Sequence, residues 1–490
     1  MHNDEESLDP EDWSEARGVA HRMVDEAVER LAQIRDRAVW TDMPDAVRAH
    51  FGTSAPMQPI RLAAVHDELR EYVLPYAMGN IHPRFWGWYM GSGNFTGALA
   101  DFMAAIDGSN VGGGTTSAAM IDSQVVDWFK ELMGFPASAS GTLTSGGSMA
   151  NMVAHTVARN AKAGVDVRAE GILGMPRPLR FYASDQVHSC HQKALETLGL
   201  GAKALRLVPT DGDLRIDLAA LKQAIAEDRL AGIEPACVIG TAGTTNTGST
   251  DDLSALAAIC RRENLWFHVD GCIGALLRIA PGNRHLVDGI ELADSIALDP
   301  HKWLHIPFEA GCALVRDSKR HFETFEMHGP YLQMQTRGLI AGKFLADYGF
   351  ELSRGFKALK IWMSIKENGV EKFGRLIDQN IEQARHLERL IAANSRLELV
   401  APVNLNIVCF RYVGAITGEE RLKALNTEVM LRMQESGIAV PSDTTVFGKH
   451  CLRVAINNHR TRSSDLDIFM DEVLRLGALI EADEGTASGS

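Results

Sequence analysis

Apolar residues near the start of the chain recur at helical spacing. Ala20, Met23, Val24, Ala27, Leu31 and Ile34 share one face, and a second amphipathic helix is predicted over 59–74. Neither stripe has a core of its own, so both helices must pack on something else, and residues 1–82 read as a helical segment apart. Its first twelve residues are polar and acidic and are expected to fray. From 83 to about 360 the pattern changes. Short apolar runs at 179–182, 205–208, 236–240, 266–269, 295–297 and 311–315 alternate with helical stretches. That alternation predicts an α/β fold with a mostly parallel central sheet covered on both faces. A long helix over 370–393 leads into a smaller α+β unit with strands at 397–400, 406–412 and 451–456 and a last helix at 464–476. The resulting division is 83–365 for a large domain, 366–480 for a small one, and 481–490 for a low-complexity tail expected to be disordered. The chain shows no internal repeat.

Composition narrows the function classes without fixing the fold. The 490 residues are 46% hydrophobic and 23% charged, ordinary for a soluble globular chain. A formal net charge of −14 argues against nucleic-acid or anionic-membrane binding. The seven cysteines are scattered, odd in number and set mostly in apolar runs, which fits buried thiols in a reducing compartment. No leader-like segment opens the sequence and no apolar run reaches membrane-spanning length, so the expected location is cytoplasmic.

The chemistry is carried by Pro300-His301-Lys302 and by Asp270, which ends the strand-like run Trp266-Phe-His-Val-Asp. A lysine that can condense with an aldehyde and a carboxylate that can hold a pyridine nitrogen protonated suit pyridoxal 5′-phosphate (PLP). A phosphate site is available at Leu143-Thr-Ser-Gly-Gly-Ser148, where small residues open a predicted helix whose free N–H groups and dipole attract anions. Alone, that segment reads rather as an ordinary Ser-capped helix. It is neither a Walker A loop nor a dinucleotide fingerprint. His188 and His191 are three residues apart and would share a helical face, with Cys190 pointing elsewhere. No second Cys/His cluster of zinc spacing follows, so no metal is expected.

Taken together, His82-Pro-Arg-Phe85, Thr144-Ser-Gly-Gly-Ser148, Asp185-Gln-Val-His188, Gly243-Thr-Thr245, His268-Val-Asp270 and Asp299-Pro-His-Lys-Trp303 give a chain that resembles the group II PLP-dependent amino-acid decarboxylases. The likeness is to their aromatic-L-amino-acid decarboxylase branch. It implies the fold type I architecture of PLP-dependent transferases (aspartate aminotransferase-like) and a homodimer whose N-terminal layers cross between subunits around interfacial active sites. It implies Lys302 as the Schiff-base lysine, Asp270 as partner of the pyridine nitrogen and His188 stacked on the ring. Thr245 is implied at the ring edge, Gly147 and Ser148 at the phosphate, and Cys272 and His301 beside the cofactor. Tyr331, on a lid-like segment 325–337, matches the loop tyrosine that hands a proton to the substrate Cα in the decarboxylases.

The implied reaction is conversion of an L-amino acid to its amine and CO2. An aldehyde synthase or oxidative deaminase, or a carbon–carbon lyase of the same fold, is the alternative. Trp88, Tyr89 and Phe308 are expected to cage an aromatic substrate, whereas Trp86 reads equally as core. The small, polar run Asn110-Val-Gly-Gly-Gly-Thr-Thr-Ser117 points instead toward a polar or longer substrate. No arginine is free for a distal carboxylate, since Arg84 and Arg354 sit in structural motifs. Two positions depart from the family pattern. Asp299 stands where the aromatic enzymes carry Asn, and is expected to turn to backbone N–H groups or stay protonated. Cys272 takes an alanine-like position and is expected to be oxidisable when the site is empty.

Overall fold

In the computed structural model, residues 6–487 are described apart from 328 and 330–334. Seven strands form the main sheet: β1 (Ser140–Thr144), β2 (Leu179–Ser184), β3 (Leu205–Val208), β4 (Glu234–Thr241), β5 (Trp266–Asp270), β6 (Ser295–Leu298) and β7 (Gly311–Val315). Their spatial order is β1-β7-β6-β5-β4-β2-β3. Every neighbouring pair is parallel except those of β7, which runs antiparallel to both β1 and β6. The mostly parallel sheet is therefore as expected, and the strand expected at 311–315 is present as β7 but runs in the reverse direction. The central strand β4 is buried at every position but its first, which is the signature of a strand covered on both faces.

Strand β1 is absent from the expectations because Ser-Gly-Thr-Leu-Thr offers one large apolar residue and no clear alternation. It forms because β7 pairs with it along its length, Ser140 to Val315 through Thr144 to Gly311. At that end only glycine fits on β7: a Cβ on Gly311 would lie 2.5 Å from the Gly146 backbone. This close approach sets the loop after β1 against the sheet.

A second, antiparallel sheet has the order β10-β11-β9-β8, built from β8 (Leu397–Leu399), β9 (Ile407–Tyr412), β10 (Ser442–Val446) and β11 (Lys449–Ala455). Strand β10 and the helix Glu419–Glu435 are further additions. The long helix runs Val370–Ala392, close to its predicted bounds. The last helix is longer than expected, Ser463–Ala487, so 481–487 of the expected disordered tail are helical, and 488–490 lie outside the described residues. Glu481 accounts for this: its carboxylate accepts from the Tyr412 hydroxyl at 2.8 Å and from the Ala415 N–H at 2.7 Å, fastening the helix to the small sheet.

At the N-terminus, Asp12 caps the helix Trp13–Ala32 through the N–H groups of Ser14 and Glu15. The predicted second helix is shorter, Leu62–Glu68, and continues as a π turn to Val73. Both lie on the rest of the chain by few residues. Val19 is the buried one in the first, while Met23, Val24 and Val28 stay exposed. Trp86 is core: its ring meets Phe469 edge-on at 5.3 Å and its Nε1 donates to Thr461.

Candidate active site

A cavity of about 340 Å3 opens where β1, β2, β4, β5 and β6 end, the edge at which open α/β sheets bind ligands. The loop after each strand contributes to its wall. Gly147, Ser148, His188, Thr245, Asp270, Cys272, His301 and Lys302 all line it, so residues spread over 156 positions converge on one space.

The ammonium of Lys302 lies 3.0 Å from Asp299 Oδ2, and His301 Nε2 lies 3.6 Å from the same oxygen. Burial works against the charge on Lys302, but Asp299 foremost and Asp270 behind it hold its pKa above the ordinary value. Asp299 thus does not turn to backbone N–H groups. One oxygen is taken by the lysine, and Oδ1 is buried with no partner among the described residues. His301 accepts from the Ala310 N–H through Nδ1, and burial pushes its pKa down.

Asp270 closes β5 with both oxygens engaged. Oδ1 accepts from the Cys272 N–H at 3.2 Å, and Oδ2 meets His191 Nε2 at 2.8 Å. Burial alone would raise this carboxyl, but His191, the Cys272 hydrogen bond and the Lys302 charge together outweigh it and hold the pKa well below the carboxylate range. His188 precedes the helix Cys190–Thr197 and faces the cavity, its Nδ1 accepting from the Cys190 N–H. His191 is inside that helix and fully buried. The two histidines therefore do not share a face, because the helix starts only at Cys190. Nor does Cys190 point elsewhere: its sulfur, a His191 nitrogen and an Asp270 oxygen lie within 4.8 Å of one another. His155, His191 and His268 form a similar group. Hydrogen bonds to Asp270, to each other, and to Asn151 and Ser295 occupy five of their six ring nitrogens. His155 Nδ1 is the sixth, buried without a partner among the described residues.

The aromatic residues separate. Tyr89 and Phe308 line the cavity and Trp88 does not. Tyr89 is buried, with its hydroxyl accepting from Asn406 Nδ2 at 2.9 Å, and Phe308 sits 4.6 Å from the His301 ring. Trp88 is 58% exposed with a left-handed backbone, φ 52°. Its N–H donates to Ser442 and its carbonyl accepts from Arg453. Arg453 also reaches the Thr245 carbonyl, tying the small sheet to two walls of the site. Arg354 pairs with Asp122 and donates to Val111 and Leu143 carbonyls; Arg84 donates to Ile438. Neither is free for a substrate. Tyr331 lies outside the described residues.

The residues present fit PLP. The helix Gly147–Lys162 starts without a side-chain cap, leaving first-turn N–H groups for a phosphate. A Cβ on Gly147 would fall 2.3 Å from Cys272 Sγ and 2.7 Å from Asp299 Oδ2, so glycine preserves the cradle. Thr241 Oγ1, on the cavity wall, is a buried polar atom without a partner among the described residues. The volume suits a small cofactor with a small ligand, such sites spanning about 300–1,000 Å3. Lys302 could bond the aldehyde, and Asp270 could reach a ring nitrogen. Cys272 is less reactive than expected: burial, then Asp270 and Asp299, raise its thiol pKa well above normal, so the thiolate needed for oxidation is suppressed. The sequence reasoning missed Asn151, His155, His268 and Arg453. His155 carried a signal, a lone imidazole within the apolar run Met152-Val-Ala-His-Thr-Val-Ala158.

The pyridoxal-dependent decarboxylase conserved domain matches residues 44–413. An aromatic-L-amino-acid decarboxylase of Bacillus atrophaeus is 36% identical over 408 residues, 82% of each chain. A phenylacetaldehyde synthase of Petunia hybrida is 28% identical, covering 94% of this chain and 93% of its own. The crystal structure of Oryza sativa TDC with PLP and tryptamine superposes with a TM-score of 0.89 at 26% identity, covering 97% of this chain and all of that one. The chain belongs to the pyridoxal-dependent decarboxylase family, as a PLP-dependent carboxy-lyase of fold type I that converts an amino acid to its amine and CO2.

Proposed function

We propose that the substrate is an aromatic L-amino acid. The observation that carries this is the lining of the cavity that holds Lys302, where Tyr89 and Phe308 with Met90 and Ile273 give apolar, partly aromatic surface. The 36% identity to an aromatic-L-amino-acid decarboxylase supports it. Among the described residues lining the cavity there is no arginine to receive a distal carboxylate.

Bound PLP supplies a sink for the electron pair left at the substrate Cα when CO2 departs. Lys302 would hold the cofactor through its aldehyde and Asp270 would keep a proton on the ring nitrogen. Gly147 and Ser148 would receive the phosphate, and His188, Thr245, Cys272 and His301 would pack around the ring. Tyr331 returns a proton to Cα. Residues 83–365 form the cofactor-binding domain and 366–480 the small domain.

The active unit is a homodimer. Met23, Val24 and Val28 on the first helix, and Leu99, Phe102 and Ile106 on the helix Phe95–Asp107, are exposed apolar side chains that a partner subunit would cover. A cytoplasmic location accords with seven buried free thiols, and none of the described helices is long and apolar enough to cross a membrane. The aldehyde-synthase reading is favoured by the similarity to the phenylacetaldehyde synthases of Petunia hybrida and Arabidopsis thaliana. Incubating the PLP-loaded protein with each of the twenty amino acids, while measuring amine by mass and CO2, ammonia and H2O2 in parallel, decides both points. Amine and CO2 from Trp, Tyr or Phe is the expected result. Aldehyde with H2O2, or turnover of only non-aromatic substrates, overturns it.

A further inference from the structure

Asp270 ends a buried chain of polar groups. Its Oδ2 is 2.8 Å from His191 Nε2, and His191 Nδ1 is 2.7 Å from His155 Nε2. Both imidazoles are fully buried, on the helices Cys190–Thr197 and Gly147–Lys162. One arrangement of protons satisfies the chain. The carboxylate accepts, so His191 carries its proton on Nε2 and its Nδ1 accepts in turn from His155 Nε2–H. His155 Nδ1 is then a bare lone pair, and it is the ring nitrogen left buried without a partner. An unpaired acceptor is better tolerated than an unpaired N–H. The reverse arrangement would aim a lone pair at the carboxylate.

We propose that His191, backed by His155, is a positioning residue that fixes the Asp270 carboxylate in one orientation and keeps its Oδ1 edge for the cofactor's ring nitrogen. Oδ1 accepts a single N–H, from Cys272, and a carboxylate oxygen has room for a second donor. The donor from His191 stabilises the anion in a place where burial opposes charge. The inference rests on the proposed role of Asp270. The other titratable groups facing the pair are His268 on β5, Cys190 beside His191, and Cys272, His188 and Lys302 at the cavity, with Asp299 behind the lysine.

The test loads the full-length protein with PLP labelled with 15N in the ring and follows that nitrogen's resonance against pH, alongside cofactor affinity by equilibrium dialysis. A wild-type ring nitrogen that is unprotonated throughout defeats the role given to Asp270 itself. With a protonated wild type, His191→Leu should lower the pH of half-protonation by at least about one unit and weaken cofactor binding about tenfold, the scale of a hydrogen bond to a charged group. His191→Gln, whose amide can donate to Asp270 and accept from His155, should stay within about threefold of wild type. His155→Leu should shift the profile in the same direction by less. Should His191→Leu not fold, His191→Asn, with an amide too short to reach Asp270, stands in its place. A lowered melting temperature with an unmoved nitrogen profile in the non-rescuing variant overturns the proposal, since a merely structural histidine would do that.

Discussion

The ammonium of Lys302 is paired with Asp299, 3.0 Å from Nζ to Oδ2, and not with Asp270 across the same cavity. The same carboxylate oxygen would be 2.7 Å from a Cβ on Gly147, so it stands against the start of the phosphate-binding helix. One acidic group therefore does two unfavourable things to an incoming phosphorylated aldehyde. It holds the lysine in its protonated, non-nucleophilic form, and it opposes a second anion nearby. Asp299→Asn keeps the shape and removes the charge. We expect it to bind PLP at least about tenfold tighter, a change of ~1.4 kcal/mol against a close-range charge term of several. Equilibrium dialysis of the apoprotein measures it. Weaker binding in the variant would mean that the ion pair positions Lys302 for the cofactor.

The cavity was legible in the sequence to the extent that its residues sit in short segments after apolar runs. Lys302, Asp270, His188, Gly147, Ser148 and Thr245 all follow or end a strand, and a strand end is where a parallel sheet presents side chains. What escaped has physical causes. Strand β1 is held by its partner β7 and not by its own pattern. The relation of His188 to His191 depends on where a helix begins, which spacing does not reveal. The Asp270–His191–His155 chain joins three elements far apart in sequence, and Trp88 leaves the cavity because its backbone turns left-handed at Arg453 and Ser442.

Gly147 offers a test of the cradle. Its added Cβ would meet Cys272 Sγ at 2.3 Å and a fixed carboxylate, with nothing flexible to yield. Gly147→Ala should cost about 1–3 kcal/mol in stability by overpacking and weaken PLP binding at least about tenfold. Adding Cys272→Gly removes the nearer obstacle, so the double variant should recover part of the affinity, a coupling that a double-mutant cycle reads directly. Strict additivity would place the two residues outside one cradle.

Acid should destabilise the fold through buried neutral histidines. Burial pushes His268 and His321 down to about 3, and His82 and His459 to about 4, from an ordinary 6.5. A lowered folded-state pKa means that the unfolded chain binds more protons between pH 6.5 and these values. Stability is therefore complete above about pH 6.5, falls as pH drops through that window, and stops falling from this cause below about 3. His321 is remote from the cavity, with its Nδ1 2.9 Å from Ser140 Oγ. His321→Gln should flatten the slope of stability against pH by up to ~1.4 kcal/mol per unit. Urea midpoints at pH 7.5, 6 and 5 measure this, and an unchanged slope would show that His321 is not a neutral buried base.

Tyr331 separates the two outcomes open to a decarboxylase. A phenol can hand a proton to the substrate Cα once CO2 has left, whereas a phenyl ring cannot. Tyr331→Phe should still release CO2, but the carbon left without its proton is exposed to O2. The balance is then one O2 and one water consumed for each aldehyde, ammonia and H2O2 formed with the CO2. Product partitioning under air, with the best substrate from the amino-acid screen, should move from amine to aldehyde in the variant. The same reaction without oxygen should slow and not divert, because no other oxidant is supplied. If the variant makes only amine at an undiminished rate, the proton comes from elsewhere, and His188, on the cavity wall with one nitrogen already engaged by the Cys190 N–H, is the next donor to test.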